Sequence, residues 1–271
     1  MATSDLDQDR VGLPSEGAVE DTADEEAEEG ASMTLVEHLE ELRRRLFFCL
    51  IAVAVGAVVA FVFWNQILGF LLIPLPRAAV ALTANHGGSS KLVVHAVGEQ
   101  FSVALKLSFA VGLAVASPVV LYQLWGFISP GLTRRERKYA APFTAIGVVL
   151  FVLGIGVGFV VLRYPVEWLL SFGTDRFIAL IDADSYFSFV AFFLLAFGIV
   201  FELPLVLTFM GMVGIVSSRT LHHRRLYAWF GLWLVSAFIT PGADPYSPVI
   251  IGVALTALYE LSILLLRAIG K

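Results

Sequence analysis

A polytopic all-α membrane protein with six spanning helices is the fold class this chain predicts, and three observations predict it. The 271 residues are 58% hydrophobic and only 15% charged, with a mean hydropathy of +0.83. Their apolar residues fall into several runs of about 18 or more, the length that crosses a bilayer as helix. The period-2 alternation that marks a membrane β-barrel is absent.

The first element is a charged tail. Residues 1–32 hold eleven acids against one base, Arg10, while the rest of the chain carries 17 bases and 12 acids, a net of +5. Such a segment lacks the apolar residues that would offset the entropy of folding, so a disordered, solvated cytoplasmic tail is expected, followed by a membrane domain over 33–271. It is not a cleavable signal peptide, because no basic stretch leads directly into a short apolar core.

TLVEHLEELRRRL, residues 34–46, comes next. Thr34 and Glu37 make a capping box, and Leu35, Leu39, Leu42 and Leu46 line one face at helical spacing. An amphipathic helix on the membrane surface is the expected result. Glu40 and Glu41 flank the leucine stripe on opposite sides, each with an arginine four residues on, Arg44 and Arg45. From the residues alone either glutamate could face a ligand.

Six candidate spans follow, at about 46–64, 101–128, 139–162, 186–213, 226–240 and 249–266. Trp64, Trp125 and Trp168 lie near span ends, where tryptophan anchors at the interface. Cys49, the single cysteine, reads as a small packing residue. Lys106 sits near the outer end of the second span, and its long stem is expected to carry the ammonium to the interface. Gly154 and Gly158 form a small-xxx-small pair that lets another helix come close. The fifth span offers about 15 apolar residues, roughly 22 Å of helix against a hydrocarbon core of about 30 Å. It is joined to the sixth by TPGADPYSP, residues 240–248, whose prolines and Asp244 suit a rigid hairpin tip.

Orientation follows from the short-loop bases. The side that holds the N-terminus carries twelve and the opposite side four, which places both termini in the cytoplasm. The second cytoplasmic loop, SPGLTRRERKY at 129–139, sets Glu136 among four bases. Topology explains positive loop charge but does not require that acid. Two glutamates on one membrane face, each beside arginines, would suit a ligand that brings guanidinium groups, because arginine grips carboxylate through a planar fork that lysine cannot copy.

Enzyme motifs are missing: there is no P-loop, no HExxH zinc pair and no GxSxG elbow, and the adjacent His222 and His223 make a poor metal clamp. No enzymatic activity, cofactor, metal or nucleic-acid partner is therefore expected. Two carboxylates, Glu202 and Glu260, lie inside apolar runs. An ionised side chain at mid-bilayer costs on the order of 3 kcal/mol, so Glu202 in FGIVFELP calls for water or a bound proton, and Pro204 leaves the Val200 carbonyl without its helical donor. Glu260 lies nearer the cytoplasmic end and can reach the interface. A proton-coupled small-solute transporter with Glu202 as carrier is the alternative reading, and it gives the cytoplasmic glutamates no task.

HLEELRRRL, PVVLYQLWGFISPGLTRRERK, SFVAFFLLAFGIVFELP, FITPGADPYS and LYE, in that order from about residue 34 to about 266, resemble the signature stretches of the TatC family, receptor subunits of the twin-arginine protein translocase. The resemblance implies a concave, glove-like bundle in the plasma membrane that binds twin-arginine signal peptides of folded precursors. It also implies assembly with TatA or TatB, self-association in a receptor complex, and transport driven by the proton gradient. It selects Glu41 over Glu40 and pairs it with Glu136 for the arginine pair, with Arg43 and Phe127 nearby. Pro74, Thr240 and Asp244 match further family positions, and TatA or TatB contact is implied for a short fifth and a short sixth span near Thr240. The hairpin TPGAD is one residue longer than the family's TPPD or TPxD, and Pro248 stands where a polar residue is usual.

Overall fold

The computed structural model describes residues 35–75, 92–128, 140–172, 181–240 and 244–270. Among these residues every regular element is a helix, and strand geometry is limited to one isolated parallel bridge, Val93 with Asp182. The chain divides into two compact units, Met1–Arg44 and Arg45–Lys271. Residues 1–32 and Thr34 lie outside the described residues, as does Glu136.

The amphipathic segment and the first span form one continuous helix, α1 (Leu35–Val62), rather than a separate surface helix. Nothing between Glu40 and Leu50 interrupts it, since that stretch holds neither glycine nor proline and is rich in leucine and arginine, which favour helix. A break at Phe63 leads into the short α2 (Trp64–Leu71). Then come α3 (Glu99–Ile128), α4 (Ala140–Val161), α5 (Arg163–Ser171), α6 (Ala183–Val200), α7 (Leu203–Met212), α8 (Ser218–His223), α9 (Arg225–Ile239) and α10 (Tyr246–Ala268).

Among the described residues five helical stretches are long and apolar enough to cross a membrane: Val36–Val62, Glu99–Phe127, Pro142–Ser171, Ala183–Met212 and Tyr246–Ala268. They match five of the six expected spans. The remaining one is α9, a helix of 15 residues, short as its sequence requires, whereas the sixth span, implied to be short, is the 23-residue α10, because its apolar run continues past Glu260 to Leu266.

Lipid tails are as apolar as leucine, so burial from water does not hold these helices together; close packing and hydrogen bonds do. Within the second unit α6 is the centre of that packing. Val190 and Phe193 are fully buried, Phe197 nearly so, and Phe189, Phe193, Phe197 and Phe201 stack at four-residue spacing. The glycine pair of α4 serves this helix. A Cβ on Gly154 would stand 2.5 Å from the Phe197 carbonyl oxygen, and one on Gly158 would stand 2.9 Å from the Phe197 Cβ. From the other side, a Cβ on Gly198 would meet the Phe151 ring at 2.7 Å. The same device joins α1 to α3, where a Cβ on Gly56 would lie 2.7 Å from the Gly112 carbonyl oxygen.

Candidate functional site

Glu41 and Arg43 stand on the early turns of α1, in the first unit, and Arg43 is exposed. Phe127 is half-buried near the end of α3. The pairing of Glu41 with Glu136 is outside what the described residues place. What this end of the second unit does contain is a clasp between α1 and α3 that the sequence did not suggest. Arg45 donates from Nη1 to Gln123 Oε1 at 3.2 Å, and its guanidinium lies where a side chain on Gly126 would have to go. One arginine of the RRR run is thus committed to holding helices together. Gln123 carried no signal in the sequence, because its partner is 78 residues away.

The intramembrane carboxylate is positioned by a helix break. Pro204 has no N–H and sits in the first turn of α7, a position that tolerates it, so α6 ends at Val200 and the chain turns through Phe201 and Glu202. The Glu202 N–H bonds back to the Ile199 carbonyl at 3.0 Å, a tightened turn of the 3₁₀ kind. Glu202, Leu205 and Phe209 share one face at i, i+3 and i+7 spacing. That face meets Leu121 and Trp125 of α3 and Phe143 of α4, with Trp125 and Phe209 ring centroids 4.8 Å apart and Trp125 and Phe143 5.2 Å apart. Gly147 of α4 makes room for the carboxylate, since a Cβ there would come within 3.2 Å of Glu202 Oε2.

Two polar atoms on this cluster, Glu202 Oε1 and Trp125 Nε1, are shut off from solvent and have no hydrogen-bond partner among the described residues. An acceptor and a donor on one apolar cluster leave polar capacity that the described residues do not use. Leaving a buried polar group unpaired costs about 1–3 kcal/mol. Glu202→Met, which keeps length and removes the oxygens, is therefore expected to raise the thermal midpoint in detergent, by roughly 2–4 °C for each kcal/mol gained. A lower midpoint than wild type would mean that the carboxylate is already compensated.

Glu260 is not solitary. Trp229 Nε1 of α9 donates to Glu260 Oε1 of α10 at 3.2 Å, and the Arg225 guanidinium lies 5.8 Å from the Trp229 ring centroid. The pair fastens α9 to α10, aided by Gly252, where a Cβ would stand 3.0 Å from the Trp233 ring. Thr240 closes α9 by donating from its hydroxyl to the Ser236 carbonyl at 2.7 Å. Asp244 is buried at 4% exposure, and its two oxygens accept from the Ser247 N–H at 2.6 Å and the Ser247 hydroxyl at 2.8 Å. Its carboxylate is thus used to start α10, while residues 241–243 of TPGADPYSP lie outside the described residues. Pro74 is half-buried in the turn after α2.

Lys106 has a partner that the sequence did not suggest: its ammonium bonds both oxygens of Asp184 at 2.6 and 2.8 Å, joining α3 to the first turn of α6. Nearby the Tyr186 hydroxyl donates to the Leu71 carbonyl at 2.9 Å and ties α2 to the same helix.

Comparison with known proteins gives one consistent result. The family model described as "Sec-independent protein translocase protein (TatC)" matches residues 37–253. The chain is similar to the Sec-independent protein translocase protein TatC of Desulforapulum autotrophicum, 38% identical over 236 residues, which is 87% of this chain and 84% of the relative. That of Carboxydothermus hydrogenoformans is 35% identical over 242 residues, 89% of this chain and 96% of the relative. Among solved structures, "Crystal Structure of Twin Arginine Translocase Receptor- TatC in DDM" superposes with a TM-score of 0.72 at 32% identity, covering 85% of this chain and 99% of that one. A multi-pass helical fold and a match along most of the sequence agree: the chain belongs to the TatC family of Sec-independent protein translocase proteins.

Proposed function

We propose that this protein is the signal-peptide receptor of a twin-arginine translocase, with Glu41 and Glu136 as the carboxylates that take the arginine pair and Arg43 and Phe127 beside them. The observation that carries the reading is the likeness, over 85% of this chain and 99% of the other, to a structure described as the twin-arginine translocase receptor. The chemistry supports it: carboxylates at the membrane surface offer bidentate acceptors to guanidinium. Both termini lie in the cytoplasm on the loop-charge count, and α9 is then the sixth span, crossing where its neighbours thin the membrane locally.

The same reading gives the protein TatA and TatB partners at α9 and α10, self-association in the receptor complex, a place in the plasma membrane and no enzymatic activity of its own. The work of export comes from the proton gradient. Capture of a synthetic twin-arginine signal peptide by the detergent-solubilised protein tests the ligand class, with the dilysine version as its comparison. Both peptides carry the same charge, so retention of the arginine form at least tenfold better supports the fork geometry. Equal capture of the two would exclude it.

A further inference from the structure

We propose that the basic run Arg219, His222, His223, Arg224 and Arg225 binds the headgroup of an anionic phospholipid whose acyl chains lie along the exposed apolar face of α9. The run belongs to the second unit and joins α8 to α9. Loop topology accounts for arginines beside a span, but it does not account for the lack of acids. Residues 203–243 hold three arginines and two histidines with neither aspartate nor glutamate, whereas the basic stretches 34–46 and 129–139 both mix acids with their arginines. Packing does not supply the missing charge. Glu260 of α10 accepts from Trp229 Nε1 at 3.2 Å, and among the described residues no ion pair involves Arg219, Arg224 or Arg225.

The fold turns these bases outward. Leu221 is buried against Tyr259, Ile263 and Leu266, and its carbonyl accepts the Tyr259 hydroxyl at 2.9 Å, so one side of α8 is fixed on α10. At about 100° per residue Arg219 and His223 then stand on the opposite side. All five basic side chains are exposed. The Ser217 hydroxyl, accepting from the Thr220 N–H at 3.2 Å, sets where α8 begins, and Arg224 both closes α8 and precedes α9. Arg225 is steadied by the Trp229 ring, whose centroid lies 5.8 Å from its guanidinium.

Apolar surface starts at the next residue. Leu226, Tyr227 and Phe230 are 72, 83 and 74% exposed and share one face of α9. A cationic cluster with apolar side chains directly beyond it matches an amphiphile with phosphate at one end and hydrocarbon at the other. Arginine takes phosphate oxygens through its planar fork, and imidazole donates N–H to them whether or not the ring is charged. Free phosphate would use only half of this surface, and a zwitterionic lipid brings its own cation to offset the phosphate. An anionic lipid uses all of it. The proposal rests on the membrane residence of the chain and is independent of the receptor reading.

The test uses the full-length protein, purified without other subunits in mild detergent and stripped of native lipid. Phosphatidylglycerol and phosphatidylcholine are titrated separately, and bound lipid is counted by native mass spectrometry. Phosphatidylglycerol is expected to bind at least tenfold more tightly, because each base near an anionic headgroup is worth about fivefold. Arg219→Gln/Arg224→Gln/Arg225→Gln should abolish that preference, while Arg134→Gln/Arg135→Gln/Lys138→Gln, which removes as many bases elsewhere, should keep it. Arg224→Gln alone should weaken phosphatidylglycerol about fivefold with an unchanged thermal midpoint, so that loss of fold cannot imitate loss of the site. The proposal is overturned if wild type binds the two lipids alike, if the two triple variants behave alike, or if excess inorganic phosphate displaces phosphatidylglycerol completely, which would assign the bases to a free anion.

Discussion

Glu136→Ala, and separately Glu41→Ala, is expected to lower crosslinking of a twin-arginine signal peptide by at least thirtyfold while membrane insertion stays normal. Removing one partner of a hydrogen-bonded charge pair at an interface costs about 2–5 kcal/mol, much of it the penalty of leaving the other charge unpaired. At about 1.4 kcal/mol per factor of ten this corresponds to losses from roughly thirtyfold to several thousandfold. Glu40→Ala is the informative companion. Glu40 flanks the same leucine stripe and has its own arginine four residues on, so an effect of general surface charge would appear equally in both variants. A selective loss in Glu41→Ala assigns the arginine to that carboxylate. Undiminished crosslinking in both Glu41→Ala and Glu136→Ala would refute the receptor assignment, and insertion is checked independently by resistance to alkaline extraction.

Gly154→Ala should destabilise the bundle more than Gly158→Ala or Gly198→Ala at the α4 and α6 seam. The added Cβ would stand 2.5 Å from the Phe197 carbonyl oxygen and 2.9 Å from both Cβ and Cγ of Phe201. A backbone oxygen inside a helix cannot step aside as a lysine tip can, so α4 must move off α6. Phe197 is 1% exposed and Val190 and Phe193 0%, which means the displacement opens gaps along a closely packed helix. Overpacking of this kind costs about 1–3 kcal/mol in soluble cores, and here packing is itself the main attraction between helices. A fall of the thermal midpoint on the order of 5–10 °C in detergent is expected, at about 2–4 °C per kcal/mol. Gly156→Ala is the matched control. It lies on the same helix two residues away with nothing within 4 Å of its Cβ position, so it should be neutral or slightly stabilising through the better helix propensity of alanine. Equal behaviour of the two variants would show that the seam does not depend on glycine.

The two experiments separate function from fold. Glu41 and Glu136 read as recognition residues on the strength of charge placement and family likeness, and their loss should leave stability alone. Gly154 touches no ligand in any reading, and its loss should reach export only through the fold. Glu202 lies between these cases, because Pro204, Gly147 and the Trp125 cluster hold a carboxylate where packing alone would favour an apolar side chain.

Membrane residence, the approximate spans and the short α9 were legible in the sequence, because run length and loop charge are local properties of the chain and the bilayer selects on them directly. The glycine pair of α4 could be seen too, but its partner could not. Whether Arg45 would clasp Gln123, whether Lys106 would find Asp184 and whether Trp229 would reach Glu260 depended on which helix faces meet, and those meetings join residues 78, 78 and 31 positions apart. The same holds for Asp244, whose oxygens are taken up by Ser247 once the hairpin closes, and for His95 with Asp182. Apolar periodicity decides that a helix enters the membrane. Only the close approach of glycine-bearing helices decides which polar side chains, among the few that lipid tolerates, end up within bonding distance.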